Sequence, residues 1–149
     1  MEELENKFIL HVILKIRTEN KIKKVLFLAK LIKLKTHTDT RGSLTVLQDE
    51  VPFSIKRMYY IYNLDPNEIR GGHRHHKNVQ VLMCIRGECI ISVNNGKEKN
   101  NYHLNQSDQC LIIYPEDWHT MHSFKDDAIL LIATSEKYDP NDYIDEEYP

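Results

Sequence analysis

The stretch IRGGHRHHKNVQ, residues 69–80, contains the side chains of this chain that are best suited to proton transfer. His73, His75 and His76 lie within four positions of one another, and imidazole titrates close to neutral pH. Alternate side chains of an extended strand point to opposite faces, so His73 and His75 are expected to share one face. Arg74 and His76 then point to the other face. This pattern alone is compatible with a metal site, an acid–base pair or a solvated basic turn.

A second polar stretch, YPEDWHTMHSF at residues 114–124, follows the apolar run CLIIY. A turn at Pro115 followed by a strand would return His119 to the cavity that His73 and His75 are expected to face. His119 and His122 are as compatible with satisfied core positions as with a cavity wall. Trp118 suits either the core or the flank of a ligand pocket.

Short apolar runs separated by turn sequences recur from residue 30 onward, and they are the elements that must position these histidines. Such spacing predicts an all-β sandwich or barrel in a single domain. Asn95-Gly96 indicates a hairpin turn, and IRGE at residues 85–88 is predicted to be another, with Gly87 at the reversal. We expect the core to come from residues of these runs: Val46, Ile61, Val81, Met83, Ile90, Ile112 and Leu130.

Composition restricts the class of protein further. The chain has 149 residues and a net charge of −2, which favours one soluble domain and gives no reason to expect a nucleic-acid partner. Its three cysteines are odd in number and form no CxxC pair, so we predict buried thiols in a reducing compartment. The opening MEELENK is unlike a secretory signal, and the apolar runs at 8–16 and 25–32 are too short to span a bilayer. We therefore expect a cytoplasmic protein without a membrane partner.

The two ends of the chain read differently from its centre. Residues 1–30 mix lysines with large apolar residues in an irregular pattern, and we treat them as an N-terminal extension to which no chemistry is assigned. The ending EKYDPNDYIDEEYP is acidic and rich in tyrosine. We predict a surface tail whose tyrosines anchor it to the barrel wall.

The spacing of His73-x-His75, followed by Gln80 and Gly87, resembles the first motif of the cupin superfamily. Gln80 stands where metal-binding cupins carry a glutamate, and a neutral amide is a weak ligand for Zn²⁺ or a similar ion. We therefore expect a site without a metal and without another cofactor.

A longer set of motifs makes the resemblance more specific. DTRGSL, PFSIKR-x-YYI, RG-x-H-x-H and PxxWHxMHxF, spread between about Leu31 and Tyr143, are similar to the nucleotide-sugar 3,4-ketoisomerases. In that family a lysine directly follows the second histidine, whereas here His76 separates His75 from Lys77. The resemblance implies a cupin jelly-roll barrel over residues 31–149, a homodimer, and dTDP-4-keto-6-deoxyglucose as the substrate.

By motif position, the resemblance implies that His73, His75 and Tyr59 are the catalytic residues. A base removes the proton at C3, an enediol forms, and an acid returns a proton at C4, which needs neither metal nor redox cofactor if donors stabilise the oxygen. Planar guanidinium groups bind diphosphates in bidentate fashion. The expected substrate-binding residues are Arg41, Arg57, Arg70, Lys77, Trp118 and His119.

The resemblance also suggests a product and a biological context. We expect dTDP-3-keto-6-deoxygalactose, formed for a 3-amino-3,6-dideoxyhexose of a surface polysaccharide such as an O-antigen or S-layer glycan. Two alternatives stay open at this point. One is a 3,5-epimerase acting on the same 4-keto sugar, and the other is a cupin that binds nucleotide sugars without turning them over.

Overall fold

A computed structural model describes residues 29–149, and these residues form an almost entirely β structure. The strands are β1 (Lys30–Lys33), β2 (Lys35–Asp39), β3 (Gly42–Val46), β4 (Arg57–Ile61), β5 (Arg70–His75), β6 (Gln80–Asn94), β7 (Lys99–Leu104), β8 (Gln109–Ile113), β9 (Trp118–Thr134) and β10 (Tyr143–Ile144). A short 3₁₀-helix, Pro140–Asp142, precedes β10. The all-β single domain predicted from the spacing of apolar runs is confirmed.

Two long strands hold the sheet together. β6 and β9 pair along most of their length, and the sheet order is β1-β8-β6-β9-β5-β10, with β4 added to β9 and β7 added to β6. All of these pairs are antiparallel. β2 and β3 form a separate two-stranded hairpin. One half of β9 therefore contacts β4 and the other half contacts β5, which brings the sequence-distant motifs onto neighbouring strands.

The predicted reversal at IRGE is wrong. β6 runs without interruption from Gln80 to Asn94, and its register against β9 shifts three times between Cys84 and Ile90. Gly87 has a φ of +67°, and a Cβ there would overlap the backbone carbonyl oxygen of Lys125. The glycine thus permits a bulge within β6 and a close approach of β9 at Lys125. The turn at Asn95-Gly96 is confirmed, because β6 and β7 pair across it.

The buried apolar residues lie on the two faces of the sheet. One cluster contains Leu82, Ile91, Leu111, Phe124, Leu130 and Ile132, with Tyr59 and Ile61 packed against it. The second cluster contains Leu34, Val81, Met83, Cys110, Ile112 and Ala133. The core prediction is confirmed for the buried Val81, Met83, Ile112 and Leu130.

The core prediction is wrong for Val46 and Ile90, which are only half buried. Val46 ends the separate hairpin, and Ile90 lies opposite His122 on β9. Alternation along β6 explains the second error, because Ile91 and not Ile90 points into the first cluster.

Cys84, Cys89 and Cys110 are buried and free, as predicted. Within residues 29–149, no helix has the length and hydropathy needed to cross a membrane. The extension proposed at residues 1–30 lies outside the described residues except for Ala29 and Lys30. Of these two, Ala29 is buried in the first cluster and Lys30 begins β1.

Candidate active site

Three histidines and one tyrosine form a compact cluster of rings in the sheet. The ring centroid of His73 lies 5.1 Å from that of His75, 5.2 Å from that of His119 and 4.7 Å from that of Tyr143. Tyr143 is also 4.7 Å from His75, so its ring covers both histidines of β5. The predicted shared face of His73 and His75 and the return of His119 to it are both observed.

Local backbone geometry at the start of β5 explains how the cluster forms. Gly71 and Gly72 both have positive φ, at +81° and +78°, a conformation that glycine adopts without strain. A Cβ at Gly71 would lie 2.7 Å from the carbonyl oxygen of His119. The register between β5 and β9 shifts just after Gly71, and His73 then pairs with His119. The glycine pair therefore lets β5 approach β9 closely enough for the two imidazoles to meet.

His75 is buried and has a hydrogen-bond partner at each ring nitrogen. Its Nδ1 lies 3.0 Å from Oδ2 of Asp142, and its Nε2 lies 2.7 Å from Nε2 of Gln80. Burial and the neighbouring His73 lower the pKa of His75 to about 4, although the Asp142 carboxylate acts in the opposite direction. His75 is therefore neutral at neutral pH.

His119 is fully buried and is oriented by its own turn. Its Nδ1 donates to the carbonyl oxygen of Asp117 at 3.0 Å, which leaves the lone pair on Nε2. Among residues 29–149 that nitrogen has no hydrogen-bond partner. Burial lowers the pKa of His119 to about 3. An unpartnered buried acceptor beside His73 is available to a ligand or to a water.

His73 is the half-buried member of the three and the one with access to solvent. Burial lowers the pKa of His73 below its usual value, while a hydrogen bond to the Gly71 backbone and the Asp145 carboxylate oppose that shift. A neutral imidazole in an accessible position can accept a proton. Of the cluster, His73 is thus the best candidate for a general base.

Tyr59 and Arg57 lie on β4, which pairs with the other half of β9, and they influence the cluster electrostatically: Arg57 acts on His75, and Tyr143 acts on Tyr59. Tyr59 faces the first apolar cluster, whereas Tyr60 points outward and is 62% exposed. Burial raises the pKa of Tyr59, so its hydroxyl keeps its proton at neutral pH and can donate it. The Arg57 guanidinium carbon lies 5.1 Å from the ring of Tyr59 and 5.6 Å from that of Tyr138. Its Nε is buried without a hydrogen-bond partner within the described part of the chain.

The other predicted site residues lie at the ends of strands or in a turn. Arg70 begins β5 and is exposed, and Lys77 is exposed just after β5 with its backbone N–H donating to Asp142. The indole of Trp118 donates to the carbonyl oxygen of Asp145 in the tail. Arg41 lies at the tip of the β2–β3 hairpin, where its guanidinium pairs with Asp39. The structure of one chain does not bring Arg41 to the histidines.

The tail contributes residues to the cluster that the sequence reading missed. Residues 143–144 pair with β5, with Tyr143 opposite His75, and Asp142 is buried beneath them. The expectation of a surface tail is therefore wrong for this segment, because it forms the edge strand of the sheet. Tyr148 does pack from outside, with the Arg74 guanidinium carbon 4.6 Å from its ring. The only sequence signal was the regular Tyr-rich pattern, which does not distinguish inward from outward tyrosines.

The arrangement of Gln80 does not suit a metal centre of the cupin type. Its amide nitrogen contacts the His75 nitrogen that a metal would need, and Nδ1 of the same ring is held by Asp142. Within residues 29–149, no group of three or more His, Cys, Asp or Glu side chains is arranged to hold a metal ion. The residues present therefore do not fit a cupin metal, and we derive no chemical step from one.

Comparison with known proteins gives a consistent family. A family model described as WxcM-like, C-terminal (FdtA) matches residues 28–148. A TDP-4-oxo-6-deoxy-α-D-glucose-3,4-oxoisomerase from Aneurinibacillus thermoaerophilus is 38% identical over 117 residues, which cover 77% of this chain and 84% of that protein.

Solved structures agree with the family model. The WlaRB TDP-quinovose 3,4-ketoisomerase from Campylobacter jejuni is 42% identical with a TM-score of 0.76, covering 79% of this chain and 92% of that one. A variant of the QdtA 3,4-ketoisomerase from Thermoanaerobacterium thermosaccharolyticum, in complex with TDP-4-keto-6-deoxyglucose, is 37% identical with a TM-score of 0.77. That alignment covers 81% of this chain and 89% of the other.

Proposed function

Because the chain belongs to the WxcM-like family of nucleotide-sugar 3,4-ketoisomerases, which have the cupin fold, we propose that it moves the ketone of dTDP-4-keto-6-deoxyglucose from C4 to C3. The observation that carries this proposal is that the accessible neutral imidazole of His73 lies 4.7 Å from the ring of Tyr143, which also lies close enough to Tyr59 to influence its buried, protonated hydroxyl. His73 can accept a proton and Tyr59 can donate one. A ketone shift between neighbouring carbons needs both.

The proposed reaction follows from the acidity of a carbon next to a ketone. His73 removes the proton at C3, and the electron pair moves into the C4 carbonyl to give an enediol or enediolate. The oxygen at C4 takes up a proton, the oxygen at C3 loses one as its carbonyl forms, and C4 receives a proton with help from Tyr59. The electrons stay within the sugar, so substrate and product are isomers. Hydrogen-bond donors that stabilise the intermediate oxygen supply the remaining catalysis.

Arginine side chains are suited to hold the diphosphate. Arg57 is half buried, is oriented by the rings of Tyr59 and Tyr138, and has a buried Nε that lacks a partner among residues 29–149. Arg70, at the start of β5, is exposed and lies on the strand that carries His73. A diphosphate between them would provide a partner for the Arg57 guanidinium and orient the sugar toward β5. Lys77, Trp118 and His119 stay candidates for contacts to the substrate.

We also propose that the protein is a homodimer. Tyr60, Leu131 and Met83 lie side by side on β4, β9 and β6, and the row runs from the buried Met83 to the exposed Tyr60. Met58 on β4 is 54% exposed. A second copy of the chain would cover this apolar edge of the second cluster, and apolar surface of this kind commonly marks an interface.

The β2–β3 hairpin supports the same assembly. It pairs with no strand of the large sheet within the described residues, and Leu44 on it is 61% exposed. Arg41 at its tip could then reach a histidine cluster only in a second copy. Light scattering should give the mass of a dimer for the wild type and for Tyr60→Phe. It should give the mass of a monomer for Tyr60→Glu. A monomeric wild type would contradict this proposal.

The stereochemistry of the product belongs to this proposal as well. We propose dTDP-3-keto-6-deoxygalactose, with Arg41 bordering the face of C4 that receives the proton. The product would feed a 3-amino-3,6-dideoxyhexose for a surface glycan, and the free buried thiols suit a reducing cytoplasmic setting. The net charge of −2 gives no reason to expect a nucleic-acid partner.

The purified full chain incubated with dTDP-4-keto-6-deoxyglucose tests the assignment, with the carbonyl carbon located by ¹³C NMR. The proposal requires the ketone to appear at C3, and the coupling of the C4 proton then reports galacto or gluco configuration. A gluco product would refute the stereochemical part alone. Binding of the nucleotide sugar without a shift of the ketone would show a binding protein and overturn the isomerase assignment.

A further inference from the structure

The two contacts of His75 determine where its proton resides. A carboxylate oxygen only accepts hydrogen bonds, so Nδ1 of His75 must donate to Asp142 at 3.0 Å. With Nδ1 protonated, Nε2 of a neutral His75 carries the lone pair, and the amide nitrogen of Gln80, 2.7 Å away, can donate to it, whereas the Gln80 amide oxygen is buried without a partner among residues 29–149. Both ring nitrogens are therefore used by protein groups. The side chain of His75 is 1% exposed, so solvent cannot replace either partner.

Asp142 is itself held firmly behind the histidine. Its side chain is 4% exposed, and its second oxygen accepts the backbone N–H of Lys77 at 3.0 Å. Its carbonyl oxygen accepts the backbone N–H of His76 at 2.9 Å. Asp142 thus contacts the chain on the C-terminal side of His75 at two points, and β10 starts at the next residue. The carboxylate cannot turn away from His75 without breaking these bonds.

His73 differs from His75 in access and in partners. It is half buried, and its ring stands edge-on to that of His75 with centroids 5.1 Å apart. When His73 takes a proton from the substrate, a second imidazolium at that separation would oppose it. A His75 that stays neutral avoids the repulsion. The charged or titratable groups around His75 are His73, His119, Asp142, Arg57 and Tyr143.

We propose that Asp142 and Gln80 are positioning residues that hold His75 in a single neutral tautomer, protonated at Nδ1, and so reserve proton uptake from the substrate for His73. Gln80 thereby has a definite task at the position where a metal-binding cupin has an acid. His75 acts through His73 and is not a second base. The effect on proton uptake from the substrate rests on the proposed ketoisomerase reaction, but the tautomer of His75 is a property of the protein alone.

¹⁵N NMR of the full chain labelled at histidine measures the tautomer directly. For His75 we expect one protonated nitrogen, Nδ1, and one unprotonated nitrogen, unchanged between about pH 5 and pH 8, where an ordinary histidine titrates. A His75 ring that is protonated at Nε2, or at both nitrogens in this range, would overturn the proposal. This readout needs no substrate, so it stays valid if the assigned reaction is wrong.

Two substitutions then test the role of the clamp. Asp142→Asn lets the new amide turn its N–H toward His75 and should populate the Nε2–H tautomer, with kcat reduced about ten- to hundredfold and KM little changed. Gln80→Glu puts a second carboxylate on His75 and should leave both nitrogens protonated at neutral pH, with kcat also reduced. Glu146→Gln replaces a carboxylate with an amide, as Asp142→Asn does, but on an exposed part of the tail, and should match the wild type in both readouts.

The variants keep the test falsifiable in either direction. An Asp142→Asn protein that is folded by circular dichroism and keeps both the wild-type kcat and the wild-type tautomer would refute the positioning role. A Gln80→Glu protein whose His75 stays singly protonated would refute the clamp at Nε2. If a variant does not fold, the spectrum of the wild type still decides which tautomer His75 adopts.

Discussion

Substitution of His73 is expected to remove proton transfer while leaving the architecture of the site in place. His73→Asn takes away the accessible imidazole, but the hydrogen bonds from His75 to Asp142 and Gln80 do not involve residue 73. The lost general base should therefore account for most of the effect. Positioned acid–base catalysis contributes about 10²–10⁴ in rate, so kcat should fall at least about 10²-fold. This corresponds to roughly 2.7 kcal/mol or more of activation free energy.

The matched control lies three residues away. His76 is exposed just after β5 and points away from the cluster, so His76→Asn should change kcat only a few-fold. Both proteins are assayed for the 3-keto product, and their nucleotide affinity is measured by titration with TDP. This affinity should stay nearly unchanged, because arginines are expected to bind the phosphates. If His76→Asn were as inactive as His73→Asn, the inward face of β5 would have to be reassigned.

Three further outcomes are expected. Activity should survive EDTA, because the Gln80 amide contacts the His75 nitrogen that a metal would need. Activity that is lost with chelator and restored by one divalent ion would contradict this. Arg70→Ala should raise KM about tenfold or more, since a charge-assisted contact is worth roughly 1.5–3 kcal/mol, while Arg86→Ala on an exposed bend should leave KM unchanged. An equal KM in both folded proteins would remove Arg70 from the site. Denaturant titration should show unfolding free energy falling by roughly 2–3 kcal/mol from pH 7 to about pH 5. In that window unfolded histidines bind protons, whereas His75 and His119 stay neutral, with pKa values of about 4 and about 3. A stability that is flat or rises over this window would show that these histidines are not held neutral.

One buried carboxyl group reduces the acid effect but does not reverse it. Burial raises the pKa of Asp117 to about 6, so the folded state binds a proton there before the unfolded chain does. That uptake stabilises the fold as the pH decreases below about 6. The two deeply buried histidines act in the opposite direction and together outweigh one carboxyl group, which is why the net change is a loss of stability.

Local rules predicted the central part of the site. Strand alternation placed His73 and His75 on one face, because a half-buried strand exposes every second side chain. The choice of Tyr59 as the site tyrosine came from the family resemblance and not from alternation. The return of His119 followed from the turn at Pro115. Residues within one strand or one hairpin are related by geometry that the sequence expresses directly.

Long-range contacts escaped the same rules. Asp142 reaches His75 across 67 positions, and nothing in the DPND sequence distinguishes a buried carboxylate from an exposed turn. The bend at Gly87 was wrongly predicted to be a chain reversal, because a glycine with positive φ suits both a turn and a bulge in a continuing strand. Only the pairing of the whole of β6 with β9 separates these possibilities.

The position of solvent deuterium in the product tests the central claim most directly. In deuterated buffer with dTDP-4-keto-6-deoxyglucose, we expect a 3-keto sugar that carries deuterium at C4 and none at C5, detected by proton NMR. His73→Asn should form this product at least about 10²-fold more slowly. A sugar that keeps its ketone at C4 and gains deuterium at C3 and C5 would instead identify an epimerase, and would contradict the proposed movement of the ketone.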